Sequence, residues 1–243
     1  MPSLQVLRCW YILCKYIQKG SIFMKPSGKI LTTCGIIGGI VLMCANAIVH
    51  VGTGMTGENP DTGWAAMPSA LCGISELLAL IGAVGLLMGC IGTHLAVRET
   101  CGAKMQTFSL LPVIGIVGMP MFHGNINCIE PLIYQVLVGH GSTDIYADMD
   151  AVISGSFAPV DLLILVTFYL QLIVLIYGTL SGRFRAPKWL IICNPIIFLI
   201  LGVVLSNILP SSVSGIALGM RNLGEGLMYL MPLAYWKKKS ADR

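Results

Sequence analysis

Charge is what this chain has least of. Asp, Glu, Lys and Arg make up only 11% of its 243 residues, where a soluble domain carries roughly a quarter. That shortage excludes an ordinary water-solvated surface. Local catalytic signatures are missing too. There is no G-x-S-x-G elbow, no H-E-x-x-H and no phosphate-binding P-loop, so the sequence offers no serine-hydrolase, zinc-protease or nucleotide-hydrolase motif. The nine cysteines contain no Cys-x-x-Cys pair, which removes the usual zinc and redox spacings. Cys34, Cys44, Cys72, Cys90 and Cys193 fall in apolar runs, Cys128 lies near a helix end, and Cys9, Cys14 and Cys101 lie among basic residues. That distribution suits small packing residues better than a disulfide framework. The two halves of the chain share no internal repeat, which weakens an alternating-access reading.

Long apolar runs are what the chain has instead. Hydrophobic residues make up 56% of it and its mean hydropathy is +0.82. A spanning helix needs about 20 residues at ~1.5 Å each to cross a core of about 30 Å. Runs of that length predict six transmembrane helices over Ile30–Val51, Ala70–Val97, Thr107–Leu132, Ala158–Leu180, Lys188–Ile208 and Gly215–Trp236. The runs are continuously apolar rather than alternating, which predicts an all-α polytopic bundle and not a barrel. Pro112, Pro120 and Pro131 predict a kink or break in the third run. Gly35/Gly39, Gly85/Gly89 and Gly215/Gly219 have the G-x-x-x-G spacing that lets helices approach closely in lipid.

Lys and Arg set the orientation. Arg8, Lys15, Lys19, Lys25 and Lys29 precede the first run, and Arg98 and Lys104 separate the second from the third. Arg183, Arg185 and Lys188 separate the fourth from the fifth, and Lys237, Lys238, Lys239 and Arg243 follow the sixth. The connections at 52–69, 139–157 and 210–214 contain none, so both termini are expected to be cytoplasmic. Residues 1–29 then form a basic cytoplasmic segment, 30–236 the membrane domain and 237–243 a basic tail. Two readings of the first 23 residues stay open: an interfacial or unstructured basic stretch, or translation starting at Met24.

Arg221 is the one basic residue outside this pattern. Glu225 follows it by one helical turn. Counting along the predicted helices places other polar groups in the same, extracytoplasmic half: Asn46 and His50, Glu76, His123 with Asn127 and Glu130 on one face, Asp161, Asn207 and Asn222. Ionisable groups at such depth are costly unless paired or hydrated. His50, Glu76, His123, Asn127, Glu130, Arg221, Asn222 and Glu225 are therefore the candidate ligand-binding set. The plainer readings are that Arg221 and Glu225 pair only to neutralise each other, and that Asp161 occupies the third position of a helix beginning after Ala158-Pro159. The outer loops hold Glu58, Asp61, Asp144, Asp148 and Asp150 with no basic residue, a sign that attracts cations.

Lys188-Trp189, Asn194-Pro195-Ile196-Ile197, Leu209-Pro210, Asn222-Leu223-Gly224 and Phe122-His123-Gly124 resemble a pattern found in uncharacterised six-span bacterial membrane proteins, grouped as a domain of unknown function. The resemblance covers most of residues 24–239. It implies a bacterial plasma-membrane location and a six-helix fold, and no activity. Such relatives often carry Gly-Asp near the outer end of the first span, where this chain has Asn46-Ala47. The leading functional expectation is binding or transport of a small polar or cationic ligand. An intramembrane hydrolase or isomerase and a structural accessory subunit are the alternatives. The lipid bilayer is the expected partner, with no nucleic acid and no cofactor or metal.

Overall fold

The computed structural model describes residues 27–50, 64, 67–118, 130–210, 216–217 and 219–242. Among them the backbone is helical with no strand. Eight α-helices follow in order: α1 Gly28–His50, α2 Ser69–Thr100, α3 Ala103–Gly115, α4 over 130–139, α5 Ile145–Leu180, α6 Pro195–Ser206, α7 Met220–Leu227 and α8 Leu230–Ala241. Three segments are long and apolar enough to cross a membrane: Gly28–His50, Ser69–Thr100 and Leu162–Leu180. Their outward faces are apolar as well, with Leu77, Leu162 and Ile173 each more than half exposed. A surface of this kind is stable in lipid and not in water.

The central packing is a glycine seam between α1 and α2. A Cβ at Gly35 would stand 2.7 Å from the Gly89 Cα, and one at Gly85 would stand 2.7 Å from the Gly38 Cα. The backbones are in van der Waals contact, so no side chain fits between them. Gly226 brings α7 onto the same helix, since its Cβ would lie 2.8 Å from Gly39. Buried hydroxyls tie helices together at the seam. Ser75 donates to the Ala45 carbonyl at 2.8 Å, and Tyr229 donates to the Leu86 carbonyl at 3.1 Å. Gly28 packs against the Trp236 ring, so the two ends of the described chain lie at the same end of the bundle.

The remaining runs depart from single spans, for local reasons. The helix of the third run stops at Gly115 and a 3₁₀ turn over Ile116–Gly118 follows; the next described helical backbone is that of α4. Helix α5 begins well before Ala158. Asp144 caps it by accepting from the Ala147 amide at 3.2 Å. Asp161 therefore lies inside a 36-residue helix and not at a helix start, which corrects that reading. The fifth run is divided. Lys188–Ile192 is 3₁₀, Asn194 is extended, and only Pro195–Ser206 is α-helical. Proline has no amide hydrogen and pushes the preceding residue out of the helical region. Asn194 then caps the new helix, accepting from the Ile196 and Ile197 amides at 2.9 and 3.2 Å. The 12 residues of α6 span only ~18 Å. The sixth run is bent rather than divided. Pro232 offers no hydrogen to Met228, whose carbonyl accepts from Met231 at 3.2 Å and tightens the turn between α7 and α8.

Basic residues gather at the Trp236 end. Arg185 pairs with Asp242 at 2.9 Å, Lys239 pairs with Glu99, and Arg183 donates to the Thr100 carbonyl.

Candidate functional site

Gly39 is the twelfth of the 23 residues of α1, and α7 is packed onto it through Gly226 and Asn222. Glu225 therefore sits level with the middle of the longest contact in the bundle. The first turn of α6 is at the same level, since a Cβ at Gly224 would lie 2.7 Å from the Asn194 carbonyl and 2.8 Å from the Pro195 Cα. One face of α7 thus packs on α1 and another on the start of α6. Between α5, α6 and α7 there remains a cleft with a volume of about 40 Å³, lined by Leu165, Phe168, Tyr169, Pro195, Ile196, Leu199, Arg221 and Glu225. That is room for two or three waters or a polar group of similar size. It exists because α6 packs on α7 and scarcely touches α5.

The chemistry of the cleft lies in one pair. Arg221 Nε donates to Glu225 Oε1 at 3.1 Å, across one helical turn. The two side chains differ sharply in environment: Glu225 is 1% exposed and Arg221 37%. Glu225 Oε2 is buried without a hydrogen-bond partner among the described residues. A guanidinium has five N–H donors, and among the described residues only the Nε hydrogen is used. The cleft wall therefore offers an unfilled acceptor beside several unfilled donors. Buried polar atoms are ordinarily satisfied, and Glu225 Oε2 is an exception among the described residues.

Two further orphans lie nearby in sequence. Asn222 Nδ2 and both amide atoms of Gln171 are buried and unpartnered. Gln171 follows the cleft residue Phe168 by three positions, on the same buried face of α5. The expected set omitted it. Its signal was available, since Gln171 is the only amide in the charge-free run 162–180.

The other expected site residues stand elsewhere. His50 ends α1, its ring 6.2 Å from that of Trp64, which in turn meets Tyr134 edge-on at 6.0 Å. Gln135 ties this cluster together by donating to the Trp64 and Met67 carbonyls at 2.7 and 3.0 Å. Glu130 lies in α4, and Glu76 lies half-buried two turns into α2; neither lines the cleft. His123 and Asn127 lie outside the described residues, as do Glu58, Asp61, Cys9, Cys14, Cys128 and Gly215; so does the side chain of Asp161. Among the described residues no three His, Cys, Asp or Glu side chains come together as a metal-binding group, and Cys34, Cys44, Cys72, Cys90, Cys101 and Cys193 form no disulfide with one another.

Against known proteins, residues 24–239 match the family described as "Family of unknown function (DUF6796)". No curated protein and no solved structure matches. The match spans most of the chain, which therefore belongs to that family.

Proposed function

For this member of the family we propose a six-span plasma-membrane protein of bacterial type, with both termini cytoplasmic, that binds a small polar ligand in the cleft between α5, α6 and α7. Three long apolar helices, the divided fifth run and the bent sixth run are read as five crossings, and the third apolar run, to which α3 belongs, as the other. The gathering of Lys and Arg at the Trp236 end supports this orientation. In such a bilayer the Arg221–Glu225 pair lies close to mid-depth, where half-helices commonly begin around bound ligands.

The observation that carries the binding reading is the incomplete pairing of Glu225. A pair that served only to cancel charge would gain by closing both carboxylate oxygens onto the guanidinium. Here Oε2 has no partner among the described residues at 1% side-chain exposure, beside a guanidinium that meets the carboxylate through Nε alone among those residues. The complementary ligand offers an acceptor to Arg221 and a donor to Glu225, which makes it dipolar. A simple cation fits less well, because Arg221 stands against it.

The test uses the full chain in phosphatidylcholine nanodiscs. Millimolar glycerophosphoethanolamine, with its phosphate acceptor and ammonium donor, is expected to raise the melting temperature of the wild type and to leave Glu225→Gln unchanged. No shift in either protein, or equal shifts in both, contradicts the reading.

A further inference from the structure

The walls of the cleft bear on how a ligand reaches it. No charged residue occurs in 162–180 or in Pro195–Ser206, the two stretches that flank the opening. Their outward side chains are large and apolar: Leu162 is 61% exposed, Val166 47% and Tyr169 43% on α5, with Leu199 45% and Val203 57% on α6. Glu225, level with the first turn of α6, lies about 15 Å along that helix from Ser206, and Arg221, one turn nearer that end, about 9 Å. Toward the other end, Gly224 is twelve residues from Trp236, which is again about 18 Å. A guest approaching sideways between α5 and α6 would therefore cross only apolar surface before meeting one arginine and one carboxylate. Arg221, 37% exposed at this depth, would face hydrocarbon unless something polar covered it, and that is a costly arrangement. An entrance of this composition admits a molecule that is itself apolar over most of its length and polar at one end.

Taking the binding reading as its basis, we infer that the ligand is a single-chain amphiphile from the bilayer. Its head carries both an acceptor and an N–H donor, and its chain lies in the gap between α5 and α6. The head engages the guanidinium through its acceptor and Glu225 Oε2 through its donor. Arginine suits the first task because its planar fork binds phosphate or carboxylate oxygens in pairs. The chain runs against Leu165, Tyr169, Ile196 and Leu199, which already line the cleft. Nothing covalent is required.

Three matched compounds and two variants test this in phosphatidylcholine nanodiscs, with the melting temperature followed against concentration. Lysophosphatidylethanolamine has the head and a chain, glycerophosphoethanolamine has the head alone, and lysophosphatidylcholine has the chain and phosphate but no N–H donor. The expected result is half-saturation by lysophosphatidylethanolamine at a concentration roughly a hundredfold or more below that of the head alone, a factor that burial of about four methylenes supplies. Lysophosphatidylcholine should be weaker by roughly tenfold, the worth of one lost charge-assisted hydrogen bond. Glu225→Gln should abolish the difference between the two lysolipids. Leu199→Trp, which fills the gap beside the cleft, should weaken the lysolipid more than the head. Equal half-saturation by head and lysolipid overturns the amphiphile and leaves the binding reading intact. No response to any compound overturns both. A lysolipid response unchanged in Glu225→Gln and Leu199→Trp overturns the placement, and so does efficient cross-linking of Leu199→Cys to a second copy, since protein then covers the gap.

Discussion

The seam between α1 and α2 and the cleft beside α6 treat backbone contact in opposite ways. In the seam, facing glycines bring the two backbones into contact, the Ser75 hydroxyl finds the Ala45 carbonyl across it, and Tyr229, packed on Gly35 and Gly89, donates to the Leu86 carbonyl. In the cleft, bulky Leu165, Phe168 and Leu199 hold α5 and α6 apart, and a carboxylate oxygen goes unpartnered. Lipid provides no hydrophobic drive for either arrangement, so helices associate where packing is close and separate where it is not. One side of α7 is thus locked to a rigid pair, and the other faces a space that a guest can occupy.

The contrast can be broken most severely at the seam. Gly85→Ala places a methyl 2.7 Å from the Gly38 Cα and 2.8 Å from the Cys34 carbonyl, both of them backbone atoms. Stability should fall by about 3 kcal/mol, measured by denaturant unfolding in mixed micelles. Glu225→Leu should cost less, about 2 kcal/mol in the same assay, because it strands a guanidinium that is only partly withdrawn from its surroundings. Tyr229→Phe removes one buried hydroxyl that donates to Leu86 and lies 3.1 Å from the Cys90 sulfur; a loss of about 1 kcal/mol is expected. Leu199→Ala, at 45% exposure, should change stability by less than about 0.5 kcal/mol. If the last two exceeded the first two, the division into a rigid side and an open side would be wrong.

The first two helices were legible in the sequence almost to the residue, because a continuous apolar run bounded by Lys29, Pro68 and Arg98 leaves few alternatives. The glycine spacings also marked the right helices. Their partners were not legible: Gly38 against Gly85 and Gly39 against Gly226 depend on how each helix is rotated, which spacing within one helix does not encode. The break at Asn194-Pro195 was written in plain local chemistry, yet hydropathy summed over the whole run conceals it. The early start of α5 was hidden for the opposite reason, since residues 145–157 mix polar and apolar types and carry no strong run. Arg221 and Glu225 were evident as neighbours one turn apart. What the sequence could not state is that an unpaired oxygen would remain, because that depends on which side chains of α5 and α6 stand opposite.

The central claim is that the Arg221–Glu225 cleft lies at mid-depth and opens sideways to lipid. A nitroxide at Leu199→Cys, on a background without the other cysteines, tests it by collision with oxygen, which concentrates in the bilayer, and with a water-soluble nickel chelate. The account predicts frequent collisions with oxygen and almost none with nickel. Nickel collisions at Leu199 as frequent as those at an exposed site such as Lys237 would show that water reaches the gap, and would contradict it.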